Sequence, residues 1–205
     1  RNPLGGIASF ANLLERDLAT DDPSRRLVQK ITEGVARVNR IVSSLLSYTR
    51  PLNLNTHEAD IRDVVEEATA FFEIDLERKH GHVIIERSYP DTALLCDVDT
   101  EQFQQVILNL LLNGTQAMPD GGSLRVEVLA GKGDTSETWI RFCDHGVGID
   151  AETQKKFFTP FFTTKEDGTG LGLVTSKKII EAHGGQITLQ SEPGKGSCVT
   201  IALPH

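Results

Sequence analysis

Up to residue 51 the apolar positions recur at helical steps; beyond it they switch between strand and helix periods. Leu4, Ile7, Ala11, Leu14 and Leu18 return every three or four residues and so share one side of a helix. Asp21-Asp22-Pro23-Ser24 interrupts that run, with Asp22 suited to cap a second helix and Pro23 to be its first residue. In the second helix the stripe is Leu27, Ile31, Gly34 or Val35, Val38, Val42, Leu45 and Thr49, with Lys30, Glu33, Arg37 and Arg40 off it. Two such helices joined by a short turn predict an antiparallel hairpin. A hairpin cannot cover its own stripe, so a four-helix bundle of two copies is expected, with packing on the following domain as the alternative. Arg50-Pro51 ends the second helix, because proline disfavours the helical conformation of the residue before it.

From Leu52 onward Leu52, Leu54 and Thr56 alternate as a short strand. Asp60 caps a helix whose buried side carries Val64, Val65, Ala68, Phe71, Phe72 and Leu76. Strands at Val83–Ile85 and Ala93–Cys96 follow. Asp99-Thr100-Glu101-Gln102 is a capping box opening an apolar helix over Phe103–Met118. The turn Pro119-Asp120-Gly121-Gly122 leads into a hairpin of Leu124–Leu129 and Thr138–Cys143. A Gly- and Thr-rich stretch from Gly146 to Gly172, a helix to His183, and strands Gln186–Gln190 and Cys198–Leu203 complete the chain. The predicted fold class is α+β: a helical hairpin over 1–51, then a two-layer α/β sandwich over 52–205.

Composition narrows the function classes. The 205 residues are 39% hydrophobic and 24% charged, with a net charge of −8, so the whole molecule repels nucleic acid and anionic membranes. No apolar run approaches the ~20 residues that span a bilayer. Cys96, Cys143 and Cys198 are odd in number, lack C-x-x-C spacing and lie in apolar strand-like runs. Three reduced, buried thiols in a cytoplasmic protein are the expectation.

Three motifs carry candidate chemistry. Asn109 and Asn113, four apart on the Leu-rich helix, share one face. Buried amides need partners, and an amide oxygen suits a hard cation such as the Mg²⁺ of a nucleotide phosphate, although a solvated helix edge would also carry asparagines. Asp144-His145-Gly146-Val147-Gly148 puts a carboxylate at a strand's end beside backbone that approaches a ligand closely. Gly168-Thr169-Gly170-Leu171-Gly172-Leu173 opens a helix, where exposed N–H groups and the macrodipole favour phosphate. It is not a Walker motif, since G-x-x-x-x-G-K-[ST] is absent. Before it, Phe157-Phe158-Thr159-Pro160-Phe161-Phe162-Thr163-Thr164-Lys165 reads as a lid whose rings anchor the base, or as a satellite apolar cluster.

In this order the motifs resemble those of bacterial sensor histidine kinases. Asn109 and Asn113 match the N box; Asp144, Gly146 and Gly148 the first glycine box; Phe157–Lys165 the F box; and Gly168–Leu173 the second glycine box. Gly194-Lys195-Gly196-Ser197, closing on Leu203-Pro204, is similar to the family's final strand. Arg1-Asn2-Pro3-Leu4-Gly5-Gly6-Ile7 looks like the second half of the H box, and its wording with that of the F box resembles the nitrogen-regulation branch. The phosphorylated histidine of the family would fall just before Arg1; His57, His80, His82, His145, His183 and His205 stand in other contexts. Gln105 and Gly114 depart from the histidine and alanine usual at their positions.

The resemblance implies binding of ATP with Mg²⁺ between the asparagine helix and the lid. Asn113 would coordinate Mg²⁺, Asn109 face the phosphates, Asp144 accept from adenine, and Gly170 and Gly172 use backbone N–H, with Gly168, Thr169 and Leu171 beside them. Lys165 would bring charge near the γ-phosphate, and Asn2 would orient water or the acceptor. The γ-phosphoryl group would pass to a histidine on the hairpin and then to an aspartate of a response regulator receiver domain. The expected partners are that regulator and a second copy of the chain, with membrane attachment only through upstream segments. Two other readings stand beside this one: a non-kinase ATPase of the same superfamily, which would need a glutamate where Asn109 lies, and a dimeric scaffold with a vestigial nucleotide site.

Overall fold

The computed structural model describes residues 3–19, 22–79, 83–131, 137–165 and 168–205. Helices α1 (Pro3–Asp17) and α2 (Ser24–Thr49) form the expected hairpin. At the turn, Asp22 Oδ1 accepts from the Ser24 N–H at 2.8 Å, and the helix starts at Ser24, one residue after the expected Pro23. Glu15 ties the helices together by accepting from Gln29 Nε2 at 3.0 Å. Packing between the helices buries Ala11, Val28 and Val35 but leaves Phe10 70% and Leu27 65% exposed. The apolar stripe is thus only partly covered. At the far end Arg50 turns extended (ψ 133°) ahead of Pro51. There Lys178 Nζ donates to Tyr48 O at 2.9 Å and Arg50 O at 3.0 Å, and stands 5.7 Å from the centre of the Tyr48 ring.

The second unit is built from β1 (His57–Asp60), α3 (Ile61–Lys79), β2 (Val83–Ser88), β3 (Leu95–Val98), α4 (Thr100–Gln116), β4 (Gly122–Ala130), β5 (Glu137–Asp144), α5 (Ala151–Lys156), α6 (Gly172–Ala182), β6 (Gln186–Glu192) and β7 (Gly196–Pro204). Strands run in the order β2-β4-β5-β7-β6; β2 lies parallel to β4 and the other neighbours are antiparallel, while β1 and β3 form a separate antiparallel pair. Period-two alternation explains the layering. Leu124, Val126, Val128, Ile140, Phe142, Ile201 and Leu203 point to one face, where Val65, Phe103, Ile107, Leu111, Ile179 and Ile180 of α3, α4 and α6 cover them. Trp139 and Arg141 point the other way onto a helix-free face. This is the two-layer sandwich expected from the sequence.

Several local expectations are corrected. Leu52–Thr56 is not a strand: the ladder starts at His57, and the segment before it is held by the Asn55 N–H donating to Asp99 Oδ2 at 2.9 Å. The asparagine helix starts at Thr100 and stops at Gln116, short of Met118. Its capping box is half realised. Asp99 Oδ1 accepts from the Gln102 N–H at 3.1 Å, but the Asp99 N–H goes to His183 Nε2 at 2.9 Å. Helix α5 lies inside the Gly- and Thr-rich stretch, nucleated by Asp150, whose carboxylate caps the N–H groups of Glu152 and Thr153. The cysteine expectation is also overturned. Cys143 and Cys198, 55 residues apart, oppose each other across β5 and β7 with Cα atoms 4.0 Å apart and form a disulfide. Among the described residues only Cys96 is free, and it is buried. Antiparallel register brings the pair together, and spacing along the chain does not report it. His80 and His82 lie outside the described residues.

Candidate functional site

The motifs converge along one stripe of α4. Asn109, Asn113 and Gln116 follow at i, i+4 and i+7, which puts them on one helix face. At the near end of this stripe lies a cleft of about 200 Å³ lined by Ser44, Gln105, Asn109, Thr169, Leu171, Gly172, Thr175 and Ser176. Asn109 Nδ2 donates to Ser176 Oγ at 2.9 Å, so its amide is fixed against the second turn of α6. A Cβ on Gly172 would lie 2.5 Å from Asn109 Oδ1, so any side chain there must push the amide aside. Glycine at 172 therefore keeps the α6 terminus open against the amide. A larger concavity of about 580 Å³ sits on the opposite face of the sheet, away from the asparagine, Asp144 and glycine-rich lid motifs.

The lid meets the middle of the stripe. Phe157 and Phe158 pack on the core, their rings 5.3 Å apart edge to face. Phe161 is exposed, with φ 64°. Only the first two rings therefore anchor the base, rather than all four. The Phe161 N–H donates to Gly170 O at 3.1 Å and draws the two edges of the lid together. Between them Lys165 Nζ donates to Asn113 Oδ1 at 3.0 Å and to Gln116 Oε1 at 2.6 Å. Partial desolvation pushes the lysine pKa down, and the nearby Asp144 charge opposes the shift.

The Asp144 loop closes the far end. The Val147 N–H donates to Ala117 O at 3.1 Å, which seats the loop on the last turn of α4. Asp144 is buried, and burial raises its pKa against the N–H groups of Gly146 (2.9 Å) and Ser197 (3.2 Å), both donated to Oδ1. Among the described residues Oδ2 accepts no hydrogen bond, so one acceptor remains for a ligand amine. Gly148, at φ 67°, supplies a backbone turn that other residues rarely adopt.

The structure thus brings together Asn109, Asn113, Asp144, Gly146, Lys165, Gly168, Thr169, Gly170 and Gly172, while Gly148 packs on Glu192 and Pro193. Leu171 is there by its backbone alone, since its side chain is fully buried. Asn2 lies outside the described residues. Gln116, Ser176 and Ser197 were missed. Gln116 was readable as the next position on the asparagine face; Ser176 and the Ser197 N–H depend on tertiary contacts that periodicity does not carry. Among the described residues no group of three His, Cys, Asp or Glu side chains is placed to hold a metal ion, and no helix is long and apolar enough to cross a membrane.

The chain belongs to the histidine kinase-, DNA gyrase B-, and HSP90-like ATPase family, which matches residues 98–205, and a His Kinase A (phospho-acceptor) domain matches residues 1–53. That pairing is the domain composition of a histidine kinase catalytic core. Sensor histidine kinase ZraS of Salmonella typhimurium is 34% identical over 204 residues, taking in 100% of this chain and 43% of its own length. Sporulation kinase D of Bacillus subtilis is 35% identical over 205 residues, covering 100% of this chain and 39% of its own. This chain therefore spans less than half the length of these relatives. The solved structure of histidine kinase ThkA in complex with response regulator protein TrrA superimposes with a TM-score of 0.74 at 25% identity, covering 100% of this chain and 58% of that one.

Proposed function

We propose that this chain binds Mg-ATP and directs the γ-phosphoryl group to a histidine of the phospho-acceptor hairpin, for relay to an aspartate of a response regulator receiver domain. The observation that carries this reading is the convergence of two amides, one part-free carboxylate and a glycine-lined lid on a single face of α4. The end of α2 at Thr49, with Arg50 turning extended ahead of Pro51, supports domain limits of 1–51 and 52–205. The exposed apolar stripe of the hairpin supports homodimerisation through a four-helix bundle, and the F-box and H-box wording supports a place near the nitrogen-regulation branch.

The residues present suit the nucleotide. Asn113 Oδ1 faces a cation, the Lys165 ammonium, which supports its reading as a ligand to Mg²⁺. Bound magnesium supplies charge neutralisation at the phosphates. Asp144 offers Oδ2 to the exocyclic amine of adenine. The α6 terminus presents the backbone N–H groups of Gly170 and Gly172, with Gly168, Thr169 and the Leu171 backbone beside them, and Asn109 holds the opposite wall. Lys165 adds positive charge at the terminal phosphate. Asn2 is the candidate for orienting the acceptor or a water molecule. Phosphoryl transfer needs positioning and charge more than a protein nucleophile, and this arrangement provides both.

Calorimetry with a non-hydrolysable ATP analogue tests the reading. Asn113→Ala is expected to abolish magnesium-dependent binding with the fold intact, and Asp144→Asn to erase the preference for ATP over GTP. Unchanged affinity in Asn113→Ala, or equal binding of the two nucleotides by the parent, refutes the respective role.

A further inference from the structure

The ammonium of Lys165 is held by two neutral carbonyl oxygens one turn apart on α4, Asn113 Oδ1 and Gln116 Oε1. Hydrogen bonds from an ionised donor are among the stronger kind. The backbone around the lysine is itself tied down: its N–H donates to Thr163 Oγ1 at 3.1 Å, and its carbonyl accepts from the Gly168 N–H at 3.1 Å. With Phe161 bonded to Gly170, the described lid residues 161–165 and 168–170 are tied to the backbone of this lysine. The two Nζ bonds therefore fasten this part of the lid to the face of α4 that also carries Asn109. One of the two uses the same amide oxygen assigned above to the metal.

We infer that Lys165 is a latch which a nucleotide must release, and that Gln116 is the positioning residue that keeps the freed lysine on α4, so that the site favours a triphosphate over a diphosphate. This rests on the roles proposed above for Asn113 and Lys165. An ammonium and a divalent cation a few ångströms apart on one oxygen repel each other, so occupation of Asn113 by the metal expels the lysine from it. Gln116, at 2.6 Å, retains the lysine beside the cleft. With a triphosphate the displaced ammonium gains the terminal phosphate in exchange for the lost bond. A diphosphate offers no such replacement, so the broken latch weighs against it and eases departure of the product.

Hydrogen–deuterium exchange and calorimetry on the 205-residue chain test this together. In the nucleotide-free protein, Gln116→Ala and Lys165→Ala should speed exchange of the described lid residues 161–165 and 168–170 by about tenfold, and Gln116→Glu should slow it. Gln116 is exposed, so these changes leave the core intact. In calorimetry Lys165→Ala should bind Mg-ADP several-fold more tightly and the ATP analogue about tenfold more weakly. Unchanged lid exchange in both alanine variants overturns the latch. An unchanged ratio of ADP to ATP-analogue affinity in Lys165→Ala overturns the preference. A parent that binds neither nucleotide, with lid exchange still responding to Gln116→Ala, overturns the preference and the nucleotide reading beneath it but not the latch.

Discussion

Gly172→Ala separates the stability of the fold from the integrity of the site. The added Cβ would lie 2.5 Å from Asn109 Oδ1, 3.2 Å from its Cγ and 3.3 Å from its Nδ2, so the whole amide must swing away. Swinging breaks the bond from Asn109 Nδ2 to Ser176 Oγ, worth about 1 kcal/mol net. Against that, alanine is better than glycine by up to ~1 kcal/mol inside a helix, and by less at the first position of α6. The two effects nearly cancel, so the thermal midpoint should move by no more than about 2–4 °C. Nucleotide affinity has no such compensation, because the displaced amide leaves the wall of the cleft, and it should fall tenfold or more. A double-mutant cycle with Asn109→Ala isolates the cause. If the amide is the target of the clash, the second substitution should cost little once the first is present, with a coupling of about 1 kcal/mol or more. Additive losses of affinity would refute the argument, as would a midpoint drop of 10 °C with binding retained.

Two further outcomes probe the scaffold. His183 joins the two helices that flank the cleft, its Nδ1 bonded to Ile179 O at 2.8 Å and its Nε2 to the Asp99 N–H at 2.9 Å. His183→Ala strands that N–H and should cost about 1–3 kcal/mol in urea denaturation; a loss within 0.3 kcal/mol, roughly the error of such comparisons, would argue against the link. The Asp60 carboxyl is held below its ordinary 3.8 chiefly by the Arg62 guanidinium, with the Arg62 and Leu94 N–H groups helping and burial opposing. A carboxyl depressed in the folded state stabilises fully above its unfolded value and loses that contribution as pH falls through the folded one. Asp60→Asn should therefore lower stability at pH 7 and flatten the acid limb of stability against pH, and parallel limbs for parent and variant would contradict the assignment.

The layers of the fold were legible because helix and sheet periods differ sharply. The stripe from Leu27 to Leu45 and the alternation from Leu124 to Leu129 each point to one partner surface. The candidate site was proposed from its amides, carboxylate and glycines because their order along the chain resembles a family. What remained hidden depends on tertiary register. The Cys143–Cys198 bond exists because β5 and β7 lie side by side, which no spacing of 55 residues announces. Helix α5 was lost among glycines and threonines because six residues are too few for a period, and only its Asp150 cap gave a signal. His183 looked like the end of a helix, and its bond to Asp99 crosses 84 residues.

The grip of Lys178 on the carbonyls of Tyr48 and Arg50 has a mechanical consequence. Lys178 and Gly172 sit on one uninterrupted helix, about 9 Å apart along its axis. Torsion in the long rod of α2 is therefore expected to reach the glycine-lined terminus of α6 along a single helix, without crossing a loop.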